Sequence, residues 1–100
     1  MSLENLTDQV KGQSLQLAAL GYKVKFDVED EGMILIDGTV NPVVVTNDDD
    51  EADCVISLNE SNLEKLIAGD LSPTLAYTLG QIKVDGSLGV AMKLASLLES

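Results

Sequence analysis

One hundred residues, 45% apolar and only 3% aromatic, suffice for one domain around an aliphatic core. Seventeen acids against six bases give a formal net charge of -11, and every base is a lysine, with no arginine or histidine. That balance excludes a nucleic-acid footprint and opposes electrostatic docking to an anionic membrane; the acidity reads as a solubility device.

In chain order, residues 3–20 predict an amphipathic helix, with Leu3, Leu6, Val10, Leu17 and Leu20 at helical steps and Gly21 as its stop. Gly12 weakens it by roughly 1 kcal/mol relative to alanine. Tyr22, Val24, Phe26 and Val28 alternate with Lys23, Lys25 and Asp27, the period of a half-buried strand with one wet face. An acidic turn, Glu29-Asp30-Glu31-Gly32, leads to residues 33–36, which are apolar at every position and predict a strand covered on both faces. Asp37-Gly38 is a turn signal, residues 43–46 make a third strand entered from Pro42, and an acidic loop at 47–53 precedes a fourth strand at 54–58.

The pattern then turns helical. Ser61 and Glu64 fit a capping box ahead of Leu63, Leu66 and Ile67, and Gly69 ends that helix. Ser72-Pro73 starts another, with Leu75, Ala76 and Leu79 as its apolar stripe and Gly80 as its stop. Ile82 and Val84 alternate with Lys83 and Asp85 in a fifth strand, Asp85-Gly86 turns, and a closing helix begins near Ser87. The expected class is α+β: a single domain over residues 1–100, with a five-stranded, largely antiparallel sheet and helices gathered on one face.

Chemistry is sparse. Without histidine there is no imidazole base or ligand, and Cys54, at the head of a largely apolar strand, reads as a buried inert thiol that, as the single cysteine, cannot form an internal disulfide. The run Asp48-Asp49-Asp50-Glu51 lacks the alternation and mid-loop glycine of a calcium loop, and Gly80, Gly86 and Gly89 lack the lysine of a phosphate loop. The expectation is no catalytic residue, no metal and no cofactor. No apolar run approaches the roughly 18 residues of a membrane span, and no basic start suggests a secretory leader, so a cytoplasmic location is expected. The positive signal is apolar. The last helix carries Leu88, Met92 and Ala95 on one face and Val90, Leu94, Leu97 and Leu98 around the side, more than one buried stripe needs. Another helix, a partner chain or a bound apolar molecule could cover the surplus.

Residues 52–98 carry, in order, Ala52-Asp53, Gly69, Pro73, Ala76-Tyr77, Gly80, Ile82-Lys83-Val84, Gly86 and Gly89-Val90-Ala91-Met92-Lys93-Leu94. This succession resembles the sterol carrier protein 2 family, and the first half is similar in element order. The resemblance implies a hydrophobic cavity between sheet and helices, bordered by the terminal helix, in a non-enzymatic lipid-binding or carrier protein for a fatty acyl chain or another apolar lipid. The lipid-binding residues so implied are Phe26, Leu35, Leu66, Leu75, Leu79, Ile82, Leu88, Met92 and Ala95. Leu79 and Thr78 depart from the pattern, standing where members often have glutamine and a second aromatic. The expected partner is a small hydrophobic ligand on a monomer, with no nucleic acid and no stable membrane anchoring. The acidic chain, without a peroxisomal Ser-Lys-Leu ending, looks like a stand-alone bacterial member. The alternatives are an interaction module docking through its apolar C-terminal helix, or an accessory subunit presenting a lipid-like intermediate to a partner enzyme.

Overall fold

The computed structural model describes residues 3–99; Met1, Ser2 and Ser100 lie outside it, and with Ser100 the last residue of the chain's ending. Two short helices, α1 (Leu3–Lys11) and α2 (Ser14–Leu17), precede strands β1 (Lys23–Val28), β2 (Gly32–Asp37), β3 (Val44–Thr46) and β4 (Cys54–Leu58). Helices α3 (Glu60–Ala68) and α4 (Pro73–Thr78), strand β5 (Lys83–Gly86) and helix α5 (Leu88–Glu99) complete the order.

The strands form one sheet in the order β3-β2-β1-β4-β5. Three of its pairings are antiparallel; β1 and β4 run parallel. In register, Phe26 stands opposite Ile34 on one side and Ile56 on the other, so Val24, Phe26 and Val28 share a face with Ile36, Cys54 and Leu58, all buried. The helices pack over that face, Leu6, Val10, Leu63, Leu66 and Leu94 completing one aliphatic core. The opposite face carries Lys25, Leu35 and Val55 side by side. The acidic loop between β3 and β4 crosses it, pinned by the Lys25 ammonium, which donates to the Asp49 carboxylate and, at 3.1 Å, to the Asp50 carbonyl.

Two expectations need correction. The single first helix is two. After Lys11, Gln13 N–H donates to the Val10 carbonyl at 2.9 Å, a tighter i→i-3 bond, and Gln13 leaves helical geometry with ψ of 9°. The chain turns at Gly12, where helix is weakest, yet Leu6, Val10, Leu17 and Leu20 all still reach the core. The cap of α3 is Asn59, not Ser61: extended at ψ 169°, Asn59 accepts from Asn62 N–H at 2.7 Å and starts the helix two residues earlier.

Candidate functional site

Helix α4 is short and defined at both ends. Ser72 Oγ accepts from Leu75 N–H at 3.4 Å and Pro73 fills the first turn. At the far end Gly80 takes the left-handed conformation, φ 76°, and Gln81 N–H donates to the Ala76 carbonyl at 2.8 Å. Ala76 is the one residue α4 buries. Leu75 is 57% exposed and Leu79 63%. The expected stripe is therefore a single buried alanine beside two solvent-facing leucines.

A junction at Asp53 holds α5. The Asp53 carboxylate accepts from Lys23 N–H at 2.9 Å, its N–H donates to the Lys23 carbonyl at 2.8 Å, and its carbonyl accepts from Ser87 N–H at 3.4 Å. One residue thus ties the start of β1 to the entry of α5. Gly86 must pass close to it: φ is +102°, and a Cβ there would sit 2.6 Å from the Asp53 carbonyl oxygen. Ser87 then caps α5, its Oγ accepting from Val90 N–H at 3.3 Å.

From that anchor α5 buries Val90, Ala91, Leu94, Ala95 and Leu98. Leu88 and Met92, one turn apart, lie at the border of this arc; Leu88 is 40% exposed and Met92 half-buried. The Thr74 hydroxyl donates to Met92 Sδ at 3.7 Å, which seats α4 against α5. At helical spacing Leu75 and Leu79 stand one step round α4 from Thr74, on the way to buried Ala76. The two touching helices meet in a seam at Thr74 and Met92, and on them Leu75, Leu79 and Leu88 are left exposed. The surplus side of α5 is thus covered in part by α4 and left open at Leu88.

Of the other expected residues, Phe26, Leu66, Ile82 and Ala95 lie fully inside, between sheet and helices. Leu35 stands apart: opposite Lys25 in register, it belongs to the far face of the sheet. A strand apolar at every position hides that distinction. Three surface depressions are lined mainly by polar and charged residues, at Lys23 and Glu51–Asp53, at Gln9 with Glu64 and Asp70, and at Glu29 with Asn59 and Lys83; none includes the α4 leucines. Burial, with Asp85 and Asp53 nearby, pushes the Cys54 thiol up from its ordinary value, so it stays protonated. Among the described residues no cluster of three or more His, Cys, Asp or Glu could hold a metal ion, and no helix is long and apolar enough to cross a membrane. Lys93 lies 5.5 Å from the Tyr22 ring centre, on the opposite side of α5 from Ala91. Sequence reasoning missed the role of Asp53; its only signal was the Ala52-Asp53 pair at the strand entry.

The model of a family described as the SCP-2 sterol transfer family matches residues 3–99. Sterol carrier protein 2 of Bos taurus is 41% identical over 54 residues, which are 54% of this chain and 10% of that much longer protein. Among solved structures, the sterol carrier protein domain 2 of Helicoverpa armigera superposes with a TM-score of 0.72 at 24% identity, covering 95% of this chain and 80% of that one. Sterol carrier protein 2 of Aedes aegypti, solved in complex with palmitate, gives 0.71 at 17% identity, covering 98% and 96%. At such identities the two structures establish a common fold.

Proposed function

Because the chain belongs to the SCP-2 sterol transfer family, we propose that it is a non-enzymatic lipid-binding or carrier protein that takes a fatty acyl chain or another apolar lipid between α4 and α5. One observation carries this reading: two touching helices that bury Ala76, Val90, Ala91, Leu94 and Ala95 leave Leu75, Leu79 and Leu88 in solvent, a surplus the fold itself does not use. An acyl chain entering the seam would meet Met92 and then the buried walls at Ile82, Leu66, Ala95 and Phe26. Each methylene taken from water contributes roughly 0.8 kcal/mol, so a long chain binds with few polar contacts. Leucine walls with an unbranched, flexible methionine among them adapt to many apolar shapes. The palmitate carried by the Aedes aegypti neighbour of the same fold suits this reading.

With six lysines, no arginine and a charge of -11, the chain offers no bidentate phosphate clamp, so a free fatty acid is preferred to its coenzyme A ester. The protein acts as a monomer, and whether it releases its ligand to a membrane or to a partner enzyme leaves the binding step unchanged. Titration with a fluorescent fatty acid tests the reading. Saturable binding is expected at micromolar protein; no saturation, with the fold intact by circular dichroism, contradicts it. Native mass spectrometry separates the alternative: lipid on a monomer supports a carrier, an empty dimer an interaction module.

A further inference from the structure

Of the chain's eight glycines, seven have a local reason. Five take positive φ; of the other two, a Cβ on Gly38 would sit 2.9 Å from the Tyr22 carbonyl oxygen and one on Gly12 3.3 Å from that of Gln9. Gly89 alone has neither reason. It lies in the first turn of α5 with no positive φ, and the nearest atom to an added Cβ is Ser87 Oγ at 3.8 Å, an ordinary contact. Conformation and packing would both accept alanine there. What the glycine supplies is a weak start to α5, at 12 residues the longest described helix.

The rest of that start is weak as well. Helix α3 opens on the 2.7 Å cap bond at Asn59, with Glu60 in its first turn. In α5, Ser87 Oγ accepts from Val90 N–H at 3.3 Å, and no acidic residue stands in the first turn to complement the helix dipole. Toward the sheet, the turn is held by Ser87 N–H donating to the Asp53 carbonyl at 3.4 Å, and the joint behind it is Gly86. Further along, Leu94, Ala95 and Leu98 are almost fully buried. The helix is fixed along its length and lightly held at its head, where Leu88 is exposed.

We infer that the first turn of α5, Leu88 to Ala91, is a gate: it unwinds about Gly86 and Gly89, widens the α4–α5 seam at Leu88, and so sets the rate at which an acyl chain enters and leaves. The inference rests on the lipid-carrier reading and adds to it the step that controls exchange. The closed turn buries Val90 and Ala91, so closed is the resting state and open the minor one. The turn closes again over bound lipid, so empty and loaded protein both carry it as helix. A change in its helical stability therefore moves the entry and exit rates together and leaves the affinity unchanged.

Stopped-flow fluorescence with a fluorescent fatty acid, its exit followed by displacement with excess palmitate, tests this. Gly89→Ala should slow both rates by about threefold to fivefold at unchanged Kd; the upper figure is the roughly 1 kcal/mol between glycine and alanine in a helix, at about 1.36 kcal/mol per decade. Ser87→Ala, which removes the cap, should speed both. Ser61→Ala, at an exposed site on α3, raises helix propensity away from the gate and should change neither. In ligand-free protein, Gly89→Ala should slow amide hydrogen exchange at Val90 and Ala91 by the same factor and leave Leu94 to Leu98 as they were. A higher melting temperature with both rates unchanged would make Gly89 purely structural and overturn the inference. Weaker affinity carried by exit alone would put the added methyl in the ligand's space and overturn it too. No saturable fatty-acid binding removes the carrier reading, and the amide exchange, which needs no ligand, then decides by itself whether the turn opens.

Discussion

Helices α3 and α4 follow one another in the chain and obey the same local grammar. Each starts at a side-chain cap, Asn59 or Ser72, and each is followed by a left-handed glycine, Gly69 or Gly80. Each carries three apolar residues at helical spacing. Yet α3 buries Leu63, Leu66 and Ile67, while α4 buries Ala76 and leaves Leu75 and Leu79 in water. The difference lies in what surrounds them: α3 is packed against both α1 and α5, whereas α4 has α5 as its principal helical neighbour. Apolar surface that a fold leaves uncovered is available to a ligand; α4 keeps two such leucines beside α5, whereas Leu15 on α2 and Val40 and Val44 near β3 are exposed elsewhere.

The contrast can be broken most forcefully at the leucines. Leu66→Ala opens a cavity in a closed core and should cost about 2–5 kcal/mol. Leu75→Ala removes an exposed group and should stay within about 0.5 kcal/mol. Urea unfolding at constant slope reads both; equal costs would mean that α4 is as well packed as α3. Gly86→Ala comes next. Its Cβ would collide with the Asp53 carbonyl in a backbone conformation that disfavours side chains, so a loss of about 1–3 kcal/mol is expected, visible in the same titration.

How much of this contrast could be read from the sequence follows from the same residues. Period alone places β1, β4, α3 and α5, because alternation at Val24-Phe26-Val28 and helical spacing at Leu63-Leu66-Ile67 are local properties. It does not place the break at Gly12, because Leu17 and Leu20 reach the core across it and the burial pattern keeps its phase. The Ser61–Glu64 spacing reads as a start signal before α3, and only the 2.7 Å bond from Asn62 N–H shows that Asn59 acts instead. At the site, the apolar nature of Leu75, Leu79, Leu88 and Met92 is legible but their exposure is not, since exposure depends on the absence of a neighbour. Leu35 needs the register with Lys25 to assign its face, and Asp53 needs the approach of β1 and α5 from distant parts of the chain.

Smaller perturbations sharpen the comparison. Met92 is half-buried at the seam, so Met92→Glu should abolish fatty-acid binding while costing about 1 kcal/mol, a fall of roughly 4–8 °C in melting temperature for a domain of this size. Collapse of the melting temperature would instead mark Met92 as plain core, where a buried charge costs several kcal/mol. Removing the caps should act unequally. Asn59→Ala loses a 2.7 Å bond at the head of a packed helix and should cost about 1 kcal/mol; Ser72→Ala loses a 3.4 Å bond on a loosely covered one and should cost about 0.5 kcal/mol. Thermal melts of the pair check the order.

The account turns on whether the open surface of α4 and α5 is where a lipid goes. Titration of the isotopically labelled protein with palmitate, followed by amide chemical shifts, measures this residue by residue. Saturable shifts concentrated at Leu75, Leu79, Leu88 and Met92, with the acidic loop and the β2–β3 edge quiet, are the predicted result. Shifts that never saturate, or that gather on the far face around Leu35 and Asp49, would contradict it.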